Sequence, residues 1–237
     1  MRKKTKKWRS PSLGRDMELR IYGTSGIPLI GIPTRGASCG QWEEFKMVEA
    51  LSHQLNNGFN QLFCLSTVDN KSLLNASAPP DQRLVYHKQY QTYLIEEVVP
   101  FIKSKNPCEY LIISGIDLGG YHAINTALKN PTSFDKAVGI SGIYDIKHFM
   151  GDYYGDDVYY NNPLDFIPSL NKQPLLNDIR SIDFRLVSYQ ADERISYARR
   201  MSETFKMKFI EHELDIWDMD TGDEWKQWPR MIKTHII

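Results

Sequence analysis

Residues 111–120 read Leu-Ile-Ile-Ser-Gly-Ile-Asp-Leu-Gly-Gly, an apolar run closed by a glycine, a carboxylate and two more glycines. A strand that turns this sharply into a helix holds its central residue in a strained backbone conformation. It therefore needs small neighbours, and Gly115, Gly119 and Gly120 supply the room. A helix is expected over 118–128, stopped at Asn130-Pro131. The frame places a strand–helix crossing near the middle of the chain, with Asp117 at its tip.

The flanking sequence repeats the same alternation. A turn at Gly14-Arg-Asp16 separates two short strands, the second over 17–22. Residues 27–32 form a continuous apolar run, as expected for a strand covered on both faces. Phe45, Val48, Leu51 and Leu55 give 41–57 a helical face that Gly58 closes. Strands are expected at 61–66, 110–114, 137–141, 184–188 and 208–216. Helices are expected at 83–105, 195–205 and about 224–234, with 142–182 irregular and rich in Tyr, Asp, Asn and Pro. Such alternation predicts a mostly parallel sheet with an antiparallel N-terminal edge and helices on both faces. Functional groups in such sheets lie in loops beyond the carboxyl ends of the strands. That singles out 33–40, 67–82, 115–119 with 142–182, and 189–194 with 218–224.

Composition sets the outer bounds. The 237 residues fit one domain, and the 29 basic and 29 acidic residues cancel. No global field points to nucleic acid or a membrane. Six of the first nine residues are basic, so 1–9 is read as a basic segment before a single domain over 10–237. A solvated or edge-strand start is favoured there over a nucleic-acid or lipid arm. No apolar stretch reaches spanning length. Cys39, Cys64 and Cys108 have no paired spacing and are expected as free thiols of a cytoplasmic protein. No cofactor and no resident metal are expected. A small-molecule ligand is the expected partner, and self-association is left open.

Four segments carry a family resemblance: Trp8-Arg-Ser-Pro-Ser-Leu-Gly-Arg-Asp16, Asp117-Leu-Gly-Gly-Tyr-His-Ala123, Ser141-Gly-Ile-Tyr-Asp145 and Tyr159-Tyr-Asn-Asn-Pro163. Together they resemble small bacterial esterases of the esterase D-like branch of the α/β-hydrolases. The resemblance implies the α/β-hydrolase fold and a Ser–acid–His triad in that chain order. Here Asp117 stands at the serine position. The histidine position falls in Thr221-Gly-Asp-Glu-Trp225, on Asp223. The acid falls on Asp192, with Glu193 next. The oxyanion-hole donors would be Leu118 and a residue at Thr34 or Arg35.

Two changes at three positions alter the chemistry. An elbow carboxylate can serve as a covalent nucleophile, but its ester must then be hydrolysed by a water that a base activates. Of the six histidines, His53, His87, His122, His148, His212 and His235, none has the expected position. His148, in the long loop, is the best substitute. The hydrolases that use an elbow Asp to displace halide tend to have Trp next; Leu118 follows here. If Asp117, Asp192 and Asp223 converge, like charge and burial oppose joint ionisation. A shared proton, a bound cation, or Asp117 folded onto the oxyanion donors or Arg35 would relieve this, and the last is favoured. Glu224 is a further pocket candidate. The leading reading is an esterase homologue that keeps the pocket and has lost the triad. The alternatives are an active hydrolase using Asp117 with a relocated base, and a cation-binding module built on the three carboxylates.

Overall fold

The structure is a computed structural model that describes residues 1–218 and 223–236. The chain opens with a hairpin of β1 (Lys3–Ser10) and β2 (Arg15–Tyr22), followed by β3 (Ile27–Ile32). Three short helices come next, α1 (Gln41–Glu44), α2 (Met47–Ala50) and α3 (Ser52–Asn56), then β4 (Asn60–Leu65). α4 (Pro80–Thr92) passes through a π turn at Tyr93–Val98 into α5 (Val99–Lys105). β5 (Ile112–Ile116), α6 (Leu118–Lys129) and β6 (Lys136–Ile140) form the centre. α7 (Asp156–Tyr159), α8 (Pro163–Ser169) and α9 (Gln173–Arg180) precede β7 (Asp183–Tyr189), α10 (Ile195–Met207), β8 (His212–Trp217) and α11 (Glu224–His235).

The eight strands lie in the order β1-β2-β4-β3-β5-β6-β7-β8. β1–β2 and β2–β4 are antiparallel, and every other neighbouring pair is parallel. Strand alternation divides the apolar side chains between two layers. Phe63, Ile113, Ala137 and Phe184 face α4, α6 and α10, whereas Leu62, Ile112, Val138 and Val187 face the α1–α3 side and α11. The α/β architecture with an antiparallel edge agrees with the expectation from sequence. β1 runs through the division drawn at residue 9, and its lysines belong to an edge strand rather than to a separate arm. Lysine is a common guard of such edges.

Several boundaries differ from the sequence reading. The single helix expected over 41–57 is broken into three: Lys46 takes a left-handed φ of 64° at the first break, and Leu51 leaves helical geometry at the second. Phe45 leaves the predicted buried face, is 39% exposed and stacks on Trp225 at 3.9 Å between centroids. The long helix starts at Pro80, and its wide turn precedes Pro100, which cannot donate to the ladder. The 142–182 stretch contains α7, α8 and α9. The strand expected from 208 begins at His212, after Phe209 adopts φ 53°. Among the described residues, no helix is long and apolar enough to cross a membrane.

The centre of the fold is the β5–α6 turn. Asp117 has φ 58° and ψ −121°, the strained geometry expected at such a tip. A Cβ on Gly115 would lie 1.9 Å from the Gly119 carbonyl oxygen, and one on Gly119 would lie 2.1 Å from that of Pro33. Both obstacles are backbone, so neither can swing aside. Gly119→Ala is expected to cost about 2–4 kcal/mol in urea unfolding. A cost below about 0.5 kcal/mol would show that α6 does not depend on this close approach.

Candidate functional site

Asp117 is locked by its backbone before its side chain is considered. Its N–H donates to the Ile140 carbonyl at 2.9 Å, and its own carbonyl accepts from Gly120 at 3.0 Å. The carboxylate therefore points to one place, the loop after β3. There Arg35 Nε donates to Oδ2 at 2.7 Å and Nη2 donates to Oδ1 at 2.6 Å. The Arg35 backbone N–H adds a longer bond to Oδ2 at 3.4 Å. Both carboxylate oxygens are thus engaged by one planar fork, the geometry in which guanidinium and carboxylate pair best. The hydrogen bonds that Arg35 donates to Asp117 raise the Arg35 pKa, against the opposing effect of burial. The pair is asymmetric: the Asp117 side chain is 3% exposed and that of Arg35 45%. Thr34 does not share this role, since its N–H donates to Gln41 Oε1 at 2.8 Å. Leu118 opens α6 as its first residue.

The loop after β7 supplies the second guanidinium. Asp192 is buried and takes a bond from Ser188 Oγ at 2.7 Å, from the Arg194 N–H at 2.9 Å and from Arg194 Nε at 3.0 Å. Arg194 Nη1 then lies 3.7 Å from Asp117 Oδ1. Its Nη2 pairs with Glu224 at the start of α11, and its guanidinium carbon sits 5.7 Å over the Trp228 ring. Arg194 therefore bridges Asp192 to Asp117 and ties both to α11. It was not anticipated from sequence, although it lies in the 189–194 loop that topology singles out.

The three carboxylates do not converge as expected. Asp117 and Asp192 share Arg194, but Asp223 sits at the N-cap position of α11 without a side-chain capping bond, is 44% exposed in its side chain and pairs with Lys226 at 2.9 Å. Glu224, one residue on, is the acid of α11 that enters the network. Thr221 and Gly222 of the same segment lie outside the described residues. Arginines already supply the counter-charge a bound cation would bring, which removes the physical reason for a cation among these acids. Glu193 is exposed and adds its field to Arg35. His148 bonds through Nδ1 to the Asp145 carbonyl at 2.9 Å and packs on Phe149. Among the described residues no contact joins His148 to Asp117.

A second buried pair supports the Arg35 loop. Asp69 Oδ1 lies 2.8 Å from His122 Nε2, and Asp69 Oδ2 accepts the Gly36 N–H at 3.0 Å. Burial pushes the Asp69 pKa up, but the His122 charge and these bonds outweigh it, and the net shift is downward. Asp69 was also missed from sequence; its only signal was a place in the 67–82 loop.

Comparisons with known proteins give the family and the fold. The family described as "Putative esterase" matches residues 76–236. No curated sequence matches the chain. Among solved structures, a ferulic acid esterase superposes with a TM-score of 0.79 at 12% identity, over 99% of this chain and 96% of its own. An S-formylglutathione hydrolase from Agrobacterium tumefaciens gives 0.74 at 15%, over 99% and 94%. Mycobacterium tuberculosis MPT51 (FbpC1) gives 0.73 at 14%, over 100% and 97%. At such identities the likeness is one of fold, and the fold is that of the α/β-hydrolases.

The ion pair at the turn is directly testable. A double-mutant cycle of Arg35→Ala and Asp117→Asn, read by urea unfolding, is expected to give a coupling of about 1–3 kcal/mol. That range is discounted from a fully buried pair because Arg35 is half in water. Additive effects within a few tenths of a kcal/mol would contradict the clamp.

Proposed function

The chain belongs to the "Putative esterase" family, and we propose that within it this protein is a non-hydrolytic homologue, a binding or accessory protein that keeps the esterase frame without its triad. One observation carries the reading. A guanidinium, that of Arg194, bridges the acid position Asp192 and the elbow position Asp117, with Nε 3.0 Å from one and Nη1 3.7 Å from the other. In a working triad an imidazole stands between those two groups, takes a proton from the nucleophile and returns it to the leaving group. Arginine stays protonated and has no acceptor atom, so it cannot remove a proton at neutral pH.

The elbow supports the same reading. Attack by Asp117 would need a free carboxylate oxygen, and both are held by Arg35 at 2.6 and 2.7 Å. Hydrolysis of the ester it would form needs a base beside that oxygen. Arg35 and Arg194 meet the carboxylate instead. What remains is an ion-paired floor at the carboxyl end of the sheet, with the half-exposed Arg35 as its outward face. A small molecule with an acceptor group directed at Arg35 is the ligand this floor suits.

Hydrolysis of p-nitrophenyl acetate and p-nitrophenyl butyrate tests the proposal. Turnover by the purified protein is expected to equal that of the Asp117→Ala variant and of buffer. A burst and steady-state rate that Asp117→Ala abolishes would sink it.

A further inference from the structure

α6 runs from the clamped turn to a second feature at its far end. Lys129 is its last residue, about 18 Å from Asp117 at 1.5 Å per residue. The Lys129 ammonium donates to Gln91 Oε1 at 2.9 Å and Asn161 Oδ1 at 2.7 Å. Both acceptors are neutral amides, and among the described residues no carboxylate pairs with this cation. Burial lowers the Lys129 pKa to about 8, and the nearby Lys88 charge pushes in the same direction. His87, on the same side, is itself held neutral by burial. The negative end of α6 offers only a fraction of a charge in compensation. A cation largely withdrawn from water without a counter-ion is costly.

The same lysine lines a pocket of about 350 Å³ whose other walls, Ser169 apart, are apolar and aromatic, among them Tyr159, Tyr160, Phe166, Leu170 and Leu175. That volume falls in the range of small-molecule sites. The walls come from α7, α8, the start of α9 and the turn between the last two, all in the tyrosine-rich stretch that the ester-site network does not use. Tyr160 is 59% exposed, so the aromatic wall is open to an incoming ligand. A neutral apolar ligand would fill the walls and leave the ammonium unbalanced. A small anion would balance the ammonium and leave the walls wet.

We propose that this pocket binds a hydrophobic carboxylate, a medium-chain acyl acid or an aryl acid, whose carboxylate pairs with the Lys129 ammonium while its apolar body lies against Tyr160, Phe166 and Leu170. The site is independent of the non-hydrolytic reading, because it shares no residue with the Arg35–Asp117–Arg194 network.

Octanoate, octanol and acetate separate the two halves of this recognition. In titrations followed by amide and lysine-side-chain NMR, octanoate is expected to saturate the pocket at least tenfold more tightly than octanol or acetate. Lys129→Gln should erase the preference for octanoate over octanol, and Tyr160→Ser should weaken both. In the unaltered protein, octanoate should also move the Lys129 titration upward from about 8, because a bound anion favours the charged amine. That readout stands even if a Lys129 variant fails to fold. Equal binding of octanoate and octanol, an unmoved Lys129 titration, or absence of saturation at millimolar octanoate would overturn the proposal.

Discussion

The bidentate contact between Arg35 and Asp117 holds together parts of the chain that share no strand or helix. It joins the loop after β3 to the turn before α6. A buried carboxylate at the tip of a strained turn has no water to lean on. The fork of Arg35 supplies its charge and two of its hydrogen bonds in one group. Asp69 then fixes the Arg35 loop from behind through the Gly36 N–H, and His122 of α6 holds Asp69. The turn is thus braced on both sides by the helix it starts.

Arg194 extends the brace across the carboxyl ends of the strands. Through it the loop after β7, the central turn and the first turn of α11 become one ion-paired unit. The same arrangement that makes the unit stable removes its reactivity. A nucleophile needs a lone pair free to attack and a partner able to accept a proton. Here both carboxylate oxygens of Asp117 face a permanent cation. Retention of the glycine frame with Asp at its tip is understandable on this basis, since the frame is what packs α6 against β3 and β6.

Much of the fold was legible because its signals are local. The glycines of 115–120 mark the sharp turn, the apolar run 27–32 marks a doubly covered strand, and Asn130-Pro131 marks the end of α6. The failures are equally physical. Phe45 fits a helical face, yet the chain turns left-handed at Lys46 and Phe45 stacks on Trp225, far along the chain. Asp223 falls at the histidine position that the family resemblance implies, but the first turn of α11 sends Glu224 inward and Asp223 to Lys226. Arg194 and Asp69 act through partners 77 and 53 residues distant, and no spacing rule encodes such pairs. Arg35 was within reach of sequence because the end of β3 faces the turn in any sheet of this order.

The account rests on the claim that Asp117 is a structural anion and not a nucleophile. Intact-mass spectrometry after prolonged exposure to a panel of epoxides and alkyl halides tests it most directly, because an Asp nucleophile without a base would accumulate the alkyl ester that these substrates leave on it. The account predicts an unmodified mass throughout. An adduct that maps to Asp117 and disappears in Asp117→Asn would contradict it.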